Sequence, residues 1–385
     1  MLKSVDIGIV GGGQLGHMLI LEGHRMGIEF AVLDPSSQCP AAVMAHSLIQ
    51  ASFSDGEALE KLGMESGCIT YEFEHIDAEK LMELEDKGCH IMPSPESLFM
   101  IQDKFRQKTF LADHGLPVPR FMSINQLEDL RKAADTFGYP LMLKSCRGGY
   151  DGKGNHLIME ESQVTVAFKK MGGGSQALMA EEGIDFFMEI SVLAVRDAQE
   201  NIVTFPVGQN IHRNNILHRT IVPAPLPKEV LLKAEELAME IMDKMKGVGI
   251  FCIEMFVDHS MDLYINEIAP RTHNSGHHTI ESCNISQFGQ QLRALMGWPL
   301  LKPVLRKPAV MINLLGDEAG PGIPRMQGVK EAMAMGEVYP HLYGKAESRP
   351  GRKMGHVTIL GETVEEALAI ANEVEEVLCI KADPM

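Results

Sequence analysis

Residues 6–16 read DIGIVGGGQLG, where an apolar run leads into a glycine-rich turn and a helical pattern follows over residues 14–26. Gly11, Gly13 and Gly16 have the spacing G-x-G-x-x-G, which marks dinucleotide-binding domains when it lies between a strand and a helix. A second apolar run ends at Asp34, where such a domain would hold the ribose of NAD. This stretch therefore predicts a parallel sheet flanked by helices, and it raises the hypothesis of an NAD enzyme.

The alternation of apolar runs and helical patterns continues to about residue 100. Residues 68–74 (CITYEFE) and 89–93 (CHIMP) are predicted strands, so this first part of the chain indicates a doubly wound parallel sheet. A pair of helices is predicted in residues 94–119, which end in a glycine and two prolines. A domain boundary is therefore expected near residue 100.

The pattern after residue 139 differs from that of the first part. Strand, glycine-rich loop and strand follow one another in residues 139–159, and further strand-like runs up to residue 212 suggest an antiparallel α+β unit. The remaining predictions are an amphipathic helix, a hairpin, a set of short strands and a final helix, over residues 229–246, 249–270, 303–361 and 363–378.

The composition is that of a globular protein of 385 residues, with 45% hydrophobic and 23% charged residues. A net charge of −17 argues against a general nucleic-acid binder, which would show a broad basic face, but it allows a local basic pocket for a small anion. The seven cysteines form no C-x-x-C pair, so we expect reduced thiols rather than disulfides or a zinc knuckle. We see no signal peptide and no apolar stretch of about 20 residues, and we predict a cytoplasmic protein.

The segment 143–156, LKSCRGGYDGKGNH, has the composition of a phosphate-binding loop. Its glycines allow the backbone to approach a ligand closely, and Lys144 and Lys153 supply cations for phosphate oxygens. The alternative is a hairpin turn with a solvated lysine, since the loop is not a Walker A sequence. Four glycines beside two lysines make us favour the phosphate loop.

Carboxylates at the break after the next strand-like run are candidates for nucleotide contacts. Glu181, Glu182 and Glu189 flank this break in AEEGIDFFME. They could accept hydrogen bonds from a ribose or a base amine, or they could form a solvated acidic turn.

The predicted hairpin carries a candidate metal site. Glu254 and Glu267 stand in its two runs, and adjacent strands can bring two carboxylates to one ion. Mg²⁺ is commonly held by one or two carboxylates together with substrate phosphates, and Asn266 would add a neutral oxygen. The alternative for these acids is a structural salt bridge with Arg271.

Two further segments favour anion binding. RTHNSGHHT, from Arg271, has no Cys or Glu at the spacing of zinc ligands, so it suits a small anion better than zinc, or it caps a helix. HLYGKAESRPGRKMGH is either a phosphate site or a solvated turn at Pro350-Gly351. Its cations are Lys345, Arg349, Arg352 and Lys353.

Together these segments resemble the ATP-grasp superfamily, and within it the family of 5-(carboxyamino)imidazole ribonucleotide synthases of purine biosynthesis. The matching motifs are GGGQLG, YEFE, QDKFRQKTFL, GGYDGKGN, NEIAPR, HNSGH, SQF and HLYGK with RPGRKMGH, spread from about residue 5 to 375. The resemblance implies an α/β ATP-grasp fold of three domains: a Rossmann-like N-terminal domain (1–100), a small α+β lid domain with the linker helices (101–185) and a C-terminal α+β ATP-grasp domain (186–385).

The resemblance also implies the reaction. A ligase of this family uses ATP and Mg²⁺, which Mn²⁺ could replace, to join bicarbonate to 5-aminoimidazole ribonucleotide through carboxyphosphate. The products are 5-(carboxyamino)imidazole ribonucleotide, ADP and phosphate. The expected partners are these small molecules, a second copy of the chain in a homodimer and a separate mutase as pathway neighbour, without nucleic acid or membrane.

Site residues follow from the resemblance by position. The implied ATP site comprises Lys104, Lys144, Gly149, Tyr150, Asp151, Gly152, Lys153, Gly154, Asn155, Glu181, Glu182, Gly183, Ile184, Glu189, His212, Asn266 and Glu267. The implied metal ligands are Glu254 and Glu267, and the implied bicarbonate and carboxyphosphate pocket is Arg271, His273 and Asn274. The implied ribonucleotide site comprises Gly13, Gln14, Leu15, Glu72, Tyr150, Asp151, Lys345, Arg352 and Lys353.

Three other functions compete with this interpretation. A sister ATP-grasp ligase, such as formate-dependent glycinamide ribonucleotide transformylase or a biotin carboxylase-like enzyme, would share the lid and the metal acids. An NAD-dependent dehydrogenase would explain only the first 34 residues, because in the resembled family the glycine turn serves the substrate. A non-catalytic nucleotide sensor is disfavoured by the intact acids Glu254 and Glu267.

Overall fold

The computed structural model describes residues 3–149 and 154–383. The chain begins with a parallel sheet in the order β3-β2-β1-β4, with helices between the strands. Its elements are β1 (Val5–Val10), α1 (Gln14–His24), β2 (Phe30–Leu33), β3 (Ser47–Ile49), α2 (Gly56–Glu65), β4 (Ser66–Tyr71) and α3 (Ala78–Asp86). The parallel sheet predicted from the first hundred residues is confirmed.

Residues 89–93, predicted to end a further strand, pair with β4 at a single position. Ile91 forms only an isolated bridge to Ile69, through the hydrogen bonds that Ile69 N–H donates to His90 O and Met92 N–H donates to Ile69 O. The next residue is Pro93, which has no N–H to extend the ladder.

Two short helices lead out of this sheet, as the sequence predicts: α4 (Pro95–Ile101) and α5 (Lys104–Asp113). The side chain of Asp103 caps α5 by accepting hydrogen bonds from the N–H groups of Phe105 and Arg106. This cap fixes where α5 begins, and it puts Lys104 in the first turn.

An antiparallel sheet in the order β5-β8-β6-β7 comes next, covered by two helices. Its elements are β5 (Phe121–Ile124), α6 (Leu127–Phe137), β6 (Leu141–Ser145), β7 (Asn155–Ile158), α7 (Glu161–Lys170) and β8 (Leu178–Glu182). The strands β6 and β7 flank the glycine-rich loop, which confirms the predicted strand–loop–strand arrangement.

Within the described residues, the rest of the chain builds one nine-stranded sheet, in the order β14-β13-β9-β11-β12-β15-β18-β17 with β10 beside β9, and a small sheet of β16 and β19. The elements of its first half are β9 (Phe186–Arg196), β10 (Ile202–Thr204), β11 (Gly208–Arg213), β12 (Ile216–Val222), α8 (Lys228–Met245), β13 (Gly249–Asp258) and β14 (Leu263–Ala269). Those of its second half are a 3-10 helix (Asn274–Gly276), α9 (Thr279–Ser282), α10 (Gln287–Leu295), β15 (Ala309–Leu315), β16 (Ile323–Gln327), α11 (Val329–Met333), β17 (Val338–Leu342), β18 (Lys353–Leu360), α12 (Val364–Val377) and β19 (Cys379–Asp383).

The largest hydrophobic core lies between α8 and the central strands β9 and β13 of this sheet. The apolar face of α8 presents Ala234, Ala238, Ile241 and Met242 to this core. Burial on this scale makes the sheet a rigid support for side chains on its opposite face. The domain limits at residues 100 and 185 stay predictions.

All seven cysteines lie in the described ranges and are unpaired thiols. Among the described helices, none is long and apolar enough to cross a membrane.

Candidate active site

The predicted hairpin is confirmed, and it brings its two acidic side chains together. Glu254 in β13 and Glu267 in β14 are directly paired across the antiparallel ladder, which is interrupted just after Glu254 by a bulge. On its other side Glu254 faces Ser191 of β9, and Glu189 lies two residues away on the same face of β9. One face of the C-terminal sheet therefore carries three carboxylates in adjacent strands.

Lysines from two other parts of the chain meet these acids. Lys104, at the start of α5, places its Nζ 2.5 Å from Oε2 of Glu267. Lys144, on β6, places its Nζ 2.5 Å from Oε2 of Glu181 and 3.3 Å from Oδ1 of Asn266. The structure thus pairs Glu267 with Lys104 and not with Arg271, the partner considered from sequence.

The two acids of the hairpin differ in their ionisation. Burial and the neighbouring charge of Glu267 raise the pKa of Glu254 to about 7. Burial also acts on Glu267, but the charge of Lys104 outweighs it and lowers the pKa of Glu267. The positive groups near Glu254, His212 and Lys104, therefore do not offset its burial and the charge of the neighbouring acids.

A divalent cation fits this deficit. No group of three or more His, Cys, Asp and Glu side chains in residues 3–149 and 154–383 could hold a metal by itself. Two carboxylates with room for further ligands suit Mg²⁺, which takes oxygen ligands and completes its shell with waters and phosphate oxygens. The donor set of Glu254 and Glu267 therefore fits the ion implied by the resemblance.

A buried ion-paired cluster, not foreseen from sequence, lies behind the lysines. Lys108 follows Lys104 by one helical turn, so both point from the same face of α5. Its Nζ lies 3.3 Å from Oε1 of Glu181 and donates a hydrogen bond of 2.7 Å to the carbonyl of Ile265. The spacing of four residues between the two lysines was the available signal.

The other two acids predicted to contact the nucleotide, Glu182 and Glu189, have different partners. Glu182 turns to the surface and forms a bidentate pair with Arg120, at 2.7 Å for both bonds. Glu189 places Oε2 2.7 Å from Nδ1 of His212, so these two predicted residues are brought together. Burial opposes a charge on His212, but Glu189 outweighs it and raises the pKa of the imidazole. Ile184 is half-buried, between β8 and β9.

The loop after β14 brings Arg271 and His273 to the edge of the acid pair. Arg271 places Nε 2.8 Å from Oε1 of Glu74, which follows β4 in the YEFE segment, and this contact was not predicted. His273 places Nε2 3.9 Å from Oε1 of Glu254. The loop therefore joins the N-terminal sheet to the acid pair.

The hydrogen bonds of His273 assign its tautomer. Its Nδ1 accepts from the N–H of Ser275, at 3.3 Å, and lies 2.8 Å from the hydroxyl of the same residue, to which Ser191 donates. A nitrogen that accepts a backbone N–H carries no proton, so the proton of the ring is on Nε2. Burial also lowers the pKa of His273, and the nearby Arg271 adds to this. His273 is therefore a neutral donor facing the acids.

Asn274 is held in one orientation by a second asparagine. Asn313 donates from Nδ2 to the carbonyl of Leu217, so its Oδ1 is left to accept from Nδ2 of Asn274 at 2.7 Å. The remaining atom, Oδ1 of Asn274, is buried and has no hydrogen-bond partner among the described residues. Asn274 therefore has an unused acceptor.

The glycine turn is occupied by a carboxylate of the chain itself. Glu72 accepts hydrogen bonds from the N–H groups of Gly13 and, at 2.8 Å, Gly16, where a dinucleotide would place its phosphates. A side chain at Gly13 would collide with this carboxylate, and Gly11 has φ +103°. Asp34 accepts from Gly12 N–H at 2.9 Å instead of pointing to a ribose.

The remaining predicted substrate residues lie around this turn. Lys345 is close enough to Glu72 to favour its ionised form, although burial dominates and raises the pKa of Glu72. Lys345 also donates from Nζ to the carbonyl of Lys353, at 2.6 Å. Arg352 is exposed and donates to Glu347 O, at 2.7 Å. Gln14 is half-buried, whereas the side chain of Leu15 packs in the core.

Four predicted residues of the glycine-rich loop, Tyr150, Asp151, Gly152 and Lys153, lie outside the described residues. Gly149 and Gly154 are close together at the base of the loop, and Asn155 begins β7. Gly183 donates its N–H to Pro140 O at 3.0 Å, which ties the linker to β6.

Family models match three consecutive parts of the chain. A ribonucleotide synthetase preATP-grasp domain matches residues 4–102, an ATP-grasp domain matches residues 109–288, and a phosphoribosylaminoimidazole carboxylase C-terminal domain matches residues 309–370. Together with the lysines and paired acids, these matches define an ATP-grasp enzyme.

The chain is also similar to characterised relatives over nearly its whole length. It is 40% identical over 360 residues to N5-carboxyaminoimidazole ribonucleotide synthase of Bacillus subtilis, covering 94% of this chain and 92% of the relative. The crystal structure of N5-carboxyaminoimidazole ribonucleotide synthetase from Thermotoga maritima matches with a TM-score of 0.90 at 40% identity, covering 98% of this chain and all of the other.

A structure from Aspergillus clavatus, N5-carboxyaminoimidazole synthase in complex with ADP and 5-aminoimidazole ribonucleotide, matches with a TM-score of 0.88 at 31% identity, covering 97% and 98% of the two chains. The chain belongs to the family of N5-carboxyaminoimidazole ribonucleotide synthases.

Proposed function

We propose that this chain uses ATP to carboxylate 5-aminoimidazole ribonucleotide with bicarbonate, giving 5-(carboxyamino)imidazole ribonucleotide, ADP and phosphate in purine biosynthesis. The observation that carries the proposal is the pairing of Glu254 with Glu267 opposite Lys104, directly beside Arg271 and His273. This arrangement puts a binding site for a metal–nucleotide complex next to a binding site for a small oxyanion.

In the first step an oxygen of bicarbonate attacks the γ-phosphorus of ATP, the bond to the ADP oxygen breaks, and carboxyphosphate forms. Lys104 and Lys144 hold phosphate oxygens: Lys104 pairs with Glu267, and Lys144 lies beside the adjacent Asn266. Glu254 and Glu267 would hold Mg²⁺, which would supply positive charge to neutralise the phosphate oxygens.

In the second step the carbon–oxygen bond of carboxyphosphate breaks, releasing phosphate and carbon dioxide. The exocyclic amine of the ribonucleotide then forms a bond to the carbon, and its proton passes to the phosphate released in the same step. Glu74 holds the guanidinium of Arg271 in one position. Arg271 therefore supplies its positive charge at a fixed point. His273 supplies the Nε2–H, which donates to an anionic oxygen and cannot act as a base in this tautomer.

The ribonucleotide is placed by the residues around the glycine turn. Its 5′-phosphate binds to Lys345, Arg352 and Lys353, which concentrate positive charge in an acidic chain. Glu72, held by Gly13 and Gly16, is an acceptor for the imidazole ribonucleotide.

Release of ADP from Mg²⁺-ATP and bicarbonate, measured with and without 5-aminoimidazole ribonucleotide, tests the proposal. Release that depends on the ribonucleotide supports it. Release that is indifferent to the ribonucleotide keeps the nucleotide chemistry but overturns the substrate. Nucleotide binding without any release supports a sensor instead.

The finer expectations belong to the same proposal. The enzyme is a cytoplasmic homodimer that prefers Mg²⁺ and accepts Mn²⁺, and a separate mutase consumes its product. Light scattering of the purified protein tests the dimer, and ADP release in each metal tests the preference.

A further inference from the structure

Lys108 is almost completely enclosed, with 2% of its side chain exposed. Lysine is rarely buried to this degree unless it is paired. Its Nζ has two polar neighbours, the carbonyl of Ile265 at 2.7 Å and Oε1 of Glu181 at 3.3 Å. The carboxylate is 3% exposed, so each side chain supplies the charge that makes the burial of the other tolerable.

Glu181 has a second cation, Lys144, but that lysine is shared. Its Nζ lies 2.5 Å from Glu181 and 3.3 Å from Asn266, beside Glu267. In the proposed function Lys144 binds nucleotide phosphate, and an approaching phosphate competes with Glu181 for it. Lys108 remains with Glu181, because Ile265 and the core around α5 hold its ammonium group in place.

The ammonium group of Lys108 favours the ionised form of Glu181, and the ionisation state decides which hydrogen bonds Glu181 can make. An ionised carboxylate only accepts hydrogen bonds, whereas a protonated one also donates. Oε1 of Glu181 is buried and accepts no hydrogen bond of good geometry from the described residues. It stands at the start of the linker 181–184, which belongs to the ATP site implied by the resemblance and which we place against the purine base of the nucleotide.

We propose that Lys108 is a positioning residue that keeps Glu181 an acceptor when Lys144 moves to phosphate, and that this selects a nucleotide with a 6-amino group over one with a 6-oxo group. Adenine donates from its 6-amino group, but hypoxanthine and guanine present a carbonyl there, which meets an ionised carboxylate unfavourably. The inference rests on the proposed function for the position of the base.

The ionisation of the pair agrees with this assignment. Burial would raise the pKa of Glu181, but Lys108 and Lys144 outweigh it and lower the pKa to about 2. Burial lowers the pKa of Lys108 to about 8, against the opposing effect of Glu181. Removing Lys108 therefore leaves Glu181 with one shared cation and favours its protonation.

The test compares binding of ADP and inosine diphosphate, by calorimetry, in the wild type and in Lys108→Met. We expect the ratio of the two affinities to fall at least about tenfold, because a protonated Glu181 can donate to the 6-oxo group. A merely structural role would weaken both nucleotides equally. An unchanged ratio overturns the inference.

A second variant covers the case in which Lys108→Met does not fold. Lys108→Met combined with Glu181→Gln removes both charges of this pair, Lys144 keeps its contact with Asn266, and the introduced amide can donate or accept. We expect its ratio to approach one, and a wild-type ratio here also overturns the inference. Lys307→Met, which removes an ion-paired lysine far from the linker in sequence, is the matched control and should keep the wild-type ratio.

Binding needs no turnover, so the two proposals fail separately. A wild type that releases no ADP with the ribonucleotide, but still prefers ADP to inosine diphosphate through Lys108, overturns the proposed reaction alone. Ribonucleotide-dependent release together with an unchanged affinity ratio overturns the role of Lys108 alone.

Discussion

Replacement of Glu254 by Gln should abolish metal-dependent turnover and at the same time make the metal-free protein more stable above neutral pH. The pKa of Glu254 rises from 4.5 to about 7, first through burial and then through repulsion by Glu267. At about 1.4 kcal/mol per pKa unit the full shift corresponds to about 3 kcal/mol. The side chain is 24% exposed, so solvent screening reduces the expected effect to about 2 kcal/mol.

The sign of the effect follows from proton binding. Between the pKa of an unfolded glutamate and about 7, folded Glu254 holds a proton that the unfolded chain has lost. Stability therefore falls as pH rises through this window, and it stays low above it. The amide introduced by Glu254→Gln cannot ionise, so the stabilisation of the variant over the wild type should be small at about pH 4 and reach about 2 kcal/mol at about pH 8.

Urea unfolding in the presence of a chelator measures this difference. Trp298 is the only tryptophan and follows α10, which packs on β13, so its fluorescence reports on the sheet that carries Glu254. Glu236→Gln, on the exposed side of α8, is the control and should stay within about 0.5 kcal/mol at both pH values. A gain that is independent of pH, or a loss at high pH, would refute the reasoning about the acid pair.

Substitutions at three further residues test individual roles. Glu267→Gln should lower ribonucleotide-dependent ADP release at least about a hundredfold with an unchanged circular dichroism spectrum, because the metal loses a carboxylate; equal activity would remove Glu267 from the metal site. Lys353→Ala should raise the KM for the ribonucleotide about tenfold and that for ATP much less, since it removes a cation from the 5′-phosphate; a shift in the ATP value alone would place the basic cluster elsewhere. His273→Gln should keep at least about tenfold more kcat than His273→Asn, since only the Gln amide nitrogen reaches the Nε2 position; equal loss in both would contradict the donor role.

The sequence predicts the parts of the site that depend on local pattern. Glu254 and Glu267 lie in apolar runs joined by a short turn, so antiparallel pairing brings them together whatever surrounds them. The strands around the glycine-rich loop and the helix pair follow from the same kind of local periodicity. The three family-model matches and the crystal structures agree with the ATP-grasp fold that the motifs indicate.

The partners of these residues depend on long-range packing and could not be predicted in the same way. Arg271 pairs with Glu74 from the first sheet, and Asn274 is oriented by Asn313 from β15, although nothing in the separate segments links them. The short pairing at residues 89–93 has a local cause, because Pro93 has no N–H with which to extend the ladder beyond Ile91.

The carboxylate of Glu72 gives the glycine turn of the first sheet a property that the sequence motif alone does not indicate. A glycine turn with free amide groups is the usual binding site for the pyrophosphate of a dinucleotide. In this chain Glu72 already accepts hydrogen bonds from the amides of Gly13 and Gly16, so these two donors are satisfied from within the protein. The turn therefore keeps the backbone geometry of a nucleotide-binding scaffold while its amide groups serve to fix a side chain.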